Sequence, residues 1–539
     1  MLQHGKRPTI TSQHGMVAAA HPLAAAAGAR ILANGGNAFD AAAATAAALN
    51  VVEPYMSGLA GRGMATVYVA KERRVRSLDF VTQIPKGFPV DKLSNREQLI
   101  RGPIPVGAPG NLGGWCEMVS TYGTKKLPEL FAPAIKLARD GFGLIEFNVE
   151  EIGGSVNAEL KGRPELYPEW SRVYLEGIAG GKPKLGAVLR QPDLAKTLEA
   201  LANEGPSLLY GGALGKKLVD RLKELGGVLT MDDLAEAKAV WIDPISVDYR
   251  GRTVHVPPPP CEAFQYLLTL RILEGFDLKS MPRDGVEHVD KVLRAIRVAA
   301  GVRILAGIPS PQKLAELLSE GHVESLRARV RDKKPVTGPT EQWTPDMGTP
   351  AGAEGHTTSF SIADSDGNMV CVTQSLGSVF GSGVVVPGTG LCLNNFLYWA
   401  DVNPKSPNRV KAGGRMPICV APSIVTQGDK AVMALGTPGS YGILQTQPQA
   451  FVQYIDYGLP LQQAIEAPRA RLTDGRAVLL ESRVDAEVHA ELRNRGHDLT
   501  SGPDWTMKVG GMQGVAVDPA TGTFTGGCDP RRDGYCVPA

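Results

Sequence analysis

A chain of 539 residues exceeds what one ordinary hydrophobic core needs, so length alone leaves room for several domains. Its 57 basic and 55 acidic side chains nearly cancel and form no long run of one sign, which argues against nucleic acid or an anionic membrane as partner and for a small-molecule substrate. Seven scattered cysteines argue against a disulfide framework, and no window approaches 18 consecutive apolar residues.

The first residues lack the uninterrupted apolar stretch of a secretory signal, so a cytoplasmic location is expected. His21-Pro22 opens a helix through Leu32, Asn34-Gly-Gly-Asn37 ends it, and Phe39 to Val52 forms a second, alanine-dense helix suited to close packing. Gly58-x-x-Gly61-x-Gly63 precedes a strand, Met64 to Ala70, and does not open a helix, so it is not a phosphate cradle. Lys71 to Arg74 then turns the chain into a returning strand, Val75 to Phe80.

From about Leu127 to Leu326 the chain reads as mainly helical. Ala132 to Asp140, Asp193 to Asn203 and Leu214 to Leu225 each end at a glycine signal. Arg252 to Val256 reads as a strand running into Pro257 to Pro260, which cannot enter a sheet interior. Residues 331–356 hold four prolines, four glycines and few apolar side chains, and so predict a long loop that needs a functional explanation.

Beyond it the chain turns strand-rich. Thr358 to Ala363 and Met369 to Leu376 flank a hairpin turn at Asp364-Ser-Asp-Gly-Asn368, whose glycine and missing glutamate do not fit a calcium loop. Cys371, Cys392 and Cys419 read as small core residues. Cys528 and Cys536 could pair in an oxidising compartment but match no zinc spacing, and neither metal nor cofactor is expected.

Two features therefore meet at one point: a long loop ends at His356, and a hydroxyl-rich strand begins at Thr357-Thr-Ser359. Thr357-Thr-Ser-Phe-Ser-Ile-Ala-Asp-Ser-Asp-Gly-Asn368 is preceded by Asn34 to Ala41, Asn50-Val-Val-Glu-Pro54, Gly107-Ala-Pro-Gly110, Tyr249-Arg-Gly251 and Pro257 to Pro260. It is followed by Phe380-Gly-Ser-Gly383, Leu393-Asn-Asn395, Gly436-Thr-Pro-Gly-Ser440, Asp456-Tyr-Gly458, Ala467-Pro-Arg469 and Cys528-Asp-Pro-Arg531. In that order and across nearly the whole chain, these stretches resemble the γ-glutamyltransferase family of N-terminal-nucleophile hydrolases.

The resemblance implies an α+β fold, a four-layer αββα sandwich with largely antiparallel sheets. It implies a precursor that cuts itself between His356 and Thr357 into fragments 1–356 and 357–539, which stay together as one intertwined heterodimer, and it admits a dimer of heterodimers. Thr357 would be the nucleophile and its freed α-amine the base, since that amine's reference pKa of about 7.7–8.0 lies near working pH. Ser375 would hydrogen-bond the nucleophile, and backbone N–H groups at Gly439 and Ser440 would hold the oxyanion. His356 has no role beyond the scissile bond and reads as a solvated loop residue.

The residues that hold a glutamate's α-carboxylate and α-amine in typical members are replaced here by Val81, Gly377, Phe396, Trp399 and the pair Ile418-Cys419. A zwitterion would lie there without partners, at a cost of several (~2–7) kcal/mol. The expected enzyme is accordingly an amidase or acyltransferase with an apolar acyl pocket around Phe396 and Trp399, beside Asn395. A true γ-glutamyl enzyme with a rearranged site and an uncleaved, inactive binding protein are the alternatives. A hairpin centred between Glu72 and Arg73 would set Met64 opposite Val81 and put Arg62 on the same face as Val81, where its guanidinium could hold an acyl carboxylate. Against this stands an Arg62 that caps a loop or points to solvent.

Overall fold

The computed structural model describes residues 6–158, 167–332, 356–404, 406, 408–474 and 477–539. The expected long loop falls almost wholly within 333–355, outside the described residues.

The first helices begin as the sequence predicts. Helix α1 (Pro22–Ala33) has proline in its first turn, and the His21 ring accepts from the Leu23 amide. Helix α2 (Ala38–Val52) opens on a capping box between Asn37 and Asp40. All fifteen residues of α2 are buried, and the small side chains let the two helices touch. A Cβ at Gly28 would lie only 2.2 Å from Thr45 Oγ1.

Two seven-stranded antiparallel sheets follow. The first uses β1 (Ile10–Ser12), β6 (Ile245–Tyr249), β7 (Arg252–Val256), β10 (Ser423–Gln427), β11 (Lys430–Gly436), β12 (Gln513–Val517) and β13 (Phe524–Cys528), in the order β1-β13-β12-β11-β10-β7-β6. The second uses β2 (Gly15–Ala19), β3 (Arg62–Val69), β4 (Arg74–Asp79), β5 (Val240–Ile242), β8 (Thr358–Asp364), β9 (Met369–Ser375) and β14 (Tyr535–Pro538), in the order β14-β2-β8-β9-β3-β4-β5. Strands from both sides of residue 357 are interleaved in each sheet.

Strand β8 lies inside the stack and is buried throughout, so both its faces must be satisfied. Phe360 and Ile362 join the core that holds α1 and α2. On the opposite face Ser361 Oγ donates to Gln513 O of the other sheet at 2.9 Å, and Ser359 Oγ fills the space left by Gly436. Helices α1, α2, α3 (Asn111–Tyr122) and α4 (Leu127–Asp140) cover the second sheet. Helices α5 (Phe264–Glu274), α6 (Val286–Ala306), α7 (Ile443–Ile455) and α8 (Leu461–Glu466) lie on the side of the first, completing the αββα layering.

Two expectations shift. Helix α4 starts at Leu127 and not at Ala132, because Pro128 occupies the first turn and Pro133 sits inside the helix. The β3–β4 hairpin closes earlier than predicted. Ala70–Glu72 forms a 3₁₀ turn with Arg73 left-handed at φ 51°, so Val69 pairs with Arg74 and Met64 with Asp79, not Val81. The shift is two residues, which preserves the face of every side chain. The turn at Asp364 is a hairpin, its carboxylate accepting from the amides of Ala38, Asp366 and Asn368. Among the described residues no helix is long and apolar enough to cross a membrane.

Candidate active site

Thr357 precedes β8 and is 7% exposed, at the floor of a cleft of about 450 Å3 measured to its open mouth. The cleft is lined by Thr357, Ser375, Gly377, Phe396, Trp399, residues 416–420, Ser440, Tyr441 and Ile443. Strand β9 ends at Ser375, beside the start of β8, and its Oγ donates to the carbonyl oxygen of His356 at 2.7 Å. That oxygen belongs to the peptide bond joining His356 to Thr357. The same Oγ accepts from the Gly377 amide at 2.8 Å, which fixes its direction.

The turn after β11 supplies the other wall. Gly439 stands at φ 135° and Ser440 at φ 56°, conformations that L-residues rarely adopt. They start a 3₁₀ turn over Ser440–Gly442. Among the described residues neither the Gly439 nor the Ser440 amide donates to a protein acceptor, and the buried Ser440 hydroxyl also lacks a partner. Two adjacent N–H groups without acceptors, beside a hydroxyl-bearing strand start, can stabilise an oxyanion.

Below the cleft the chain at Thr357 and Thr358 is gripped from two sides. Arg532 Nη1 donates to the Thr357 carbonyl at 2.8 Å, and Thr358 Oγ1 donates to Glu53 Oε2 at 2.7 Å. Glu53 is the C-cap of α2, and its second oxygen is buried without a partner. Burial raises its carboxyl to about 7, while the Arg532 guanidinium and the Thr358 hydroxyl pull it down. Glu53 and Arg532 escaped the sequence reading. Glu53 lies within Asn50 to Pro54, a lone charge in an apolar stretch, whereas Arg532 follows Cys528 to Arg531 among several other charges that gave it no distinguishing signal.

His356 is not a solvated loop residue. Its ring is largely covered, with Nε2 3.7 Å from Glu151 Oε2. Gly377, Phe396, Trp399, Ile418 and Cys419 share the cleft wall, as their common role in the resemblance implies, while Val81 packs in the core behind it. Cys419 is thus a wall residue and not a strand-core residue, and burial pushes its thiol up to about 12, so it is neutral. Asn395 does not line the cleft. Its amide nitrogen donates to Ile100 O and Ser378 Oγ, and its oxygen accepts from the Ser378 amide. It braces the Gly377-Ser378 corner.

Arg62 does not point to solvent, but it does cap loop carbonyls, as the alternative had it. It is fully buried, donating to Ala108 O at 3.2 Å and Gln83 O at 3.1 Å, with its guanidinium 5.8 Å from the Phe396 ring centroid. No carboxylate pairs with it among the described residues, and Nη1 has no partner. Burial and then the neighbouring Arg415 lower it to about 9. It lies outside the cleft wall, behind Phe396. Arg415 itself pairs with Asp79. Tyr441, unforeseen from sequence, adds an aromatic wall against Trp399 at 6.0 Å, with Arg303 stacked at 4.2 Å.

The family model described as gamma-glutamyltranspeptidase matches residues 24–539. The acylase ACY 1 proenzyme of Pseudomonas sp. (strain SE83) is 34% identical over 99% of this chain and 94% of its own length. The glutathione hydrolase proenzyme of Bacillus subtilis (strain 168) is 31% identical over 97% and 91%. Among solved structures, the cephalosporin acylase from Bacillus halodurans superposes with a TM-score of 0.90 at 30% identity, covering 100% of this chain and 98% of that one.

The Glu53 environment generates a pH test. Its carboxyl is raised from 4.5 to about 7, so the folded protein binds this proton more tightly than the unfolded one. Its contribution to stability is full below the unfolded value and is lost as pH rises through the folded value. In an uncleaved Thr357→Ala background, the thermal midpoint should therefore fall less between about pH 5 and about pH 8 when Glu53→Gln is added. Parallel pH profiles with and without Glu53→Gln would show that Glu53 is not the group responsible.

Proposed function

Because the chain belongs to the gamma-glutamyltranspeptidase family along residues 24–539, we propose that it is a precursor that cuts itself between His356 and Thr357 and then works as an N-terminal-threonine amide hydrolase or acyltransferase. The observation that carries the proposal is the Ser375 hydroxyl set 2.7 Å from the His356 carbonyl oxygen. As Thr357 Oγ1 attacks that carbonyl carbon, negative charge gathers on the oxygen Ser375 already holds. The hydroxyl proton passes to the departing nitrogen as the C–N bond breaks, which frees the Thr357 α-amine and leaves His356 esterified to Thr357 Oγ1; water then hydrolyses the ester, restoring the hydroxyl and releasing the His356 carboxylate. Fragments 1–356 and 357–539 remain joined through the interleaved sheets as a heterodimer.

In the mature enzyme the Thr357 amine takes the proton from the Thr357 hydroxyl as it attacks a substrate amide. The amide oxygen moves toward the Gly439 and Ser440 N–H groups, and the same amine returns the proton to the leaving nitrogen. Water or an amine then removes the acyl group. No step requires a metal or cofactor. Phe396, Trp399, Ile418 and Cys419 offer the acyl chain an apolar wall, which suits the acyl group of an acylase substrate better than a γ-glutamyl zwitterion.

The buried Arg62, with Nη1 unpartnered and the Arg415 charge nearby, supports an acyl group that carries a carboxylate but no obligatory α-amine, such as a dicarboxylic half-amide. A side-chain movement of Phe396 would join it to the cleft. On this reading Asn395 acts through the Gly377-Ser378 corner and not by contact.

Purified protein should separate under denaturing conditions into two fragments, the smaller starting Thr-Thr-Ser-Phe on N-terminal sequencing. Thr357→Ala should stay full length and inactive, and a processed Thr357→Ala chain would refute the assignment. Ser375→Ala should slow self-cleavage by roughly 10²-fold, the typical cost of losing one oxyanion donor, and unchanged cleavage kinetics would remove Ser375 from the mechanism. Arg62→Ala should raise KM steeply for amides of dicarboxylic acids while leaving self-cleavage and neutral amides nearly unaffected. Equal KM values on every acidic acyl amide would end the Arg62 assignment.

A further inference from the structure

Cys528 ends β13, in the first sheet, and Cys536 lies in β14, at the edge of the second. Cys528 stands opposite Gln513 and Cys536 opposite Ala18, so the two side chains meet across the stack and not along one sheet. Their sulfurs are 3.0 Å apart. The approach depends on Gly526, where a Cβ would sit 2.7 Å from both Cβ and Sγ of Cys536. Both cysteines are free.

The chain between them is the turn that reaches the active site. Asp529 accepts from the Met512 amide at 3.1 Å and pairs with Arg469 and Arg531. Arg532 donates to the Thr357 carbonyl, and Arg7 holds the Arg532 carbonyl from outside at 3.1 Å. Whatever fixes both ends of this turn fixes the grip on Thr357.

We infer that Cys528 and Cys536 form a reversible dithiol–disulfide clasp that ties the two sheets together and closes the turn carrying Arg532. The sulfurs need to approach by only about 1 Å to reach a bond of about 2.05 Å. A low-molecular-weight disulfide is the fitting oxidant. The more exposed Cys536, as thiolate, attacks one sulfur of that reagent and releases one thiol. Cys528 then attacks the mixed disulfide and releases the second. Two protein thiols are oxidised and one small disulfide is reduced to two thiols. The clasp does not rest on the proposed hydrolase chemistry, because the pair touches neither Thr357 nor the cleft wall and reaches the site only through the turn carrying Arg532.

The test uses the full chain treated with oxidised glutathione or with dithiothreitol, quenched, denatured and alkylated. After oxidation, five of the seven cysteines should take the label, and one proteolytic product should hold the Cys528 and Cys536 segments linked. After dithiothreitol all seven should react. Oxidised wild type should unfold a few degrees above its reduced form, and the difference should vanish in Cys536→Ser. Full labelling after oxidation, a stable glutathione adduct, or loss of label at other cysteines would overturn the pairing. Equal unfolding midpoints for the linked and reduced forms would overturn the clasp. These readouts do not depend on amide hydrolysis, so a failed activity assay cannot be mistaken for a failed clasp.

Discussion

The peptide at Thr357 and Thr358 is held between Arg532, on its carbonyl, and Glu53, on the next hydroxyl, and the rest of the site depends on that grip. A strand start is ordinarily the loosest part of a strand, because one side of its backbone lacks a ladder partner. Here the start lies at the floor of a cleft, and the proposed self-cleavage would need it to hold the Thr357 hydroxyl in line with a carbonyl to a fraction of an ångström. Hydrogen bonds from charged groups supply the stiffness, since they are stronger than neutral ones and act in a dry interior. The two gripping residues come from opposite ends of the chain, so the site forms only once both sheets and α2 have assembled.

The αββα stacking explains why β8 can carry so many hydroxyls. A strand enclosed by a helical layer and a second sheet would ordinarily read as a continuous apolar run. Ser359 and Ser361 face the other sheet: Ser361 donates to Gln513 O across the gap, while Ser359 bonds to Val372 O and Thr373 Oγ1 of the neighbouring strand β9, so these polar groups are satisfied. Gly436 makes that contact possible, because any side chain there would occupy the place of the Ser359 hydroxyl. The same close approach recurs at Gly526 near the sheet edge. Small residues set the spacing of the two sheets, and the spacing sets the reach from β13 to Thr357.

Local signals carried much of this in the sequence. The helix start at His21-Pro22, the hairpin turn at Asp364 and the strand Arg252–Val256 each rest on short-range chemistry and could be read directly, whereas Asn37 read as the end of the first helix and proved to cap the second. Thr357 stood out as a candidate because an unusual proline- and glycine-rich stretch ends where a hydroxyl-rich strand begins. Glu53 was not, since a carboxylate just after a helix ordinarily reads as a solvated end, and only the fold shows that it is enclosed. Arg62 was half legible: strand parity gave its face, but its burial depends on the loop at Gly107, where a side chain would collide with the guanidinium. Asn395 was misplaced because a motif shows that a residue matters without showing whether it touches the substrate.

The charges around Thr357 bear on how one amine can serve as base. On the proposed mechanism, cleavage would create an α-amine in a region that already holds Glu53, Glu151 and Asp533 as well as Arg532, groups close enough to shift one another's protonation. Burial alone would lower that amine's pKa, and the carboxylates would raise it by favouring the ammonium. A base must be neutral to accept the hydroxyl proton, yet basic enough to keep it until the leaving nitrogen needs it. A carboxyl raised to about 7, such as Glu53, is suited to moderate this balance. When neutral it adds no charge that would hold the amine protonated. When ionised it offsets the nearby guanidinium, which would otherwise push the amine's pKa down further. On the proposed mechanism, the buried oxygen of Glu53 that lacks a partner would face the charge that cleavage creates beside it.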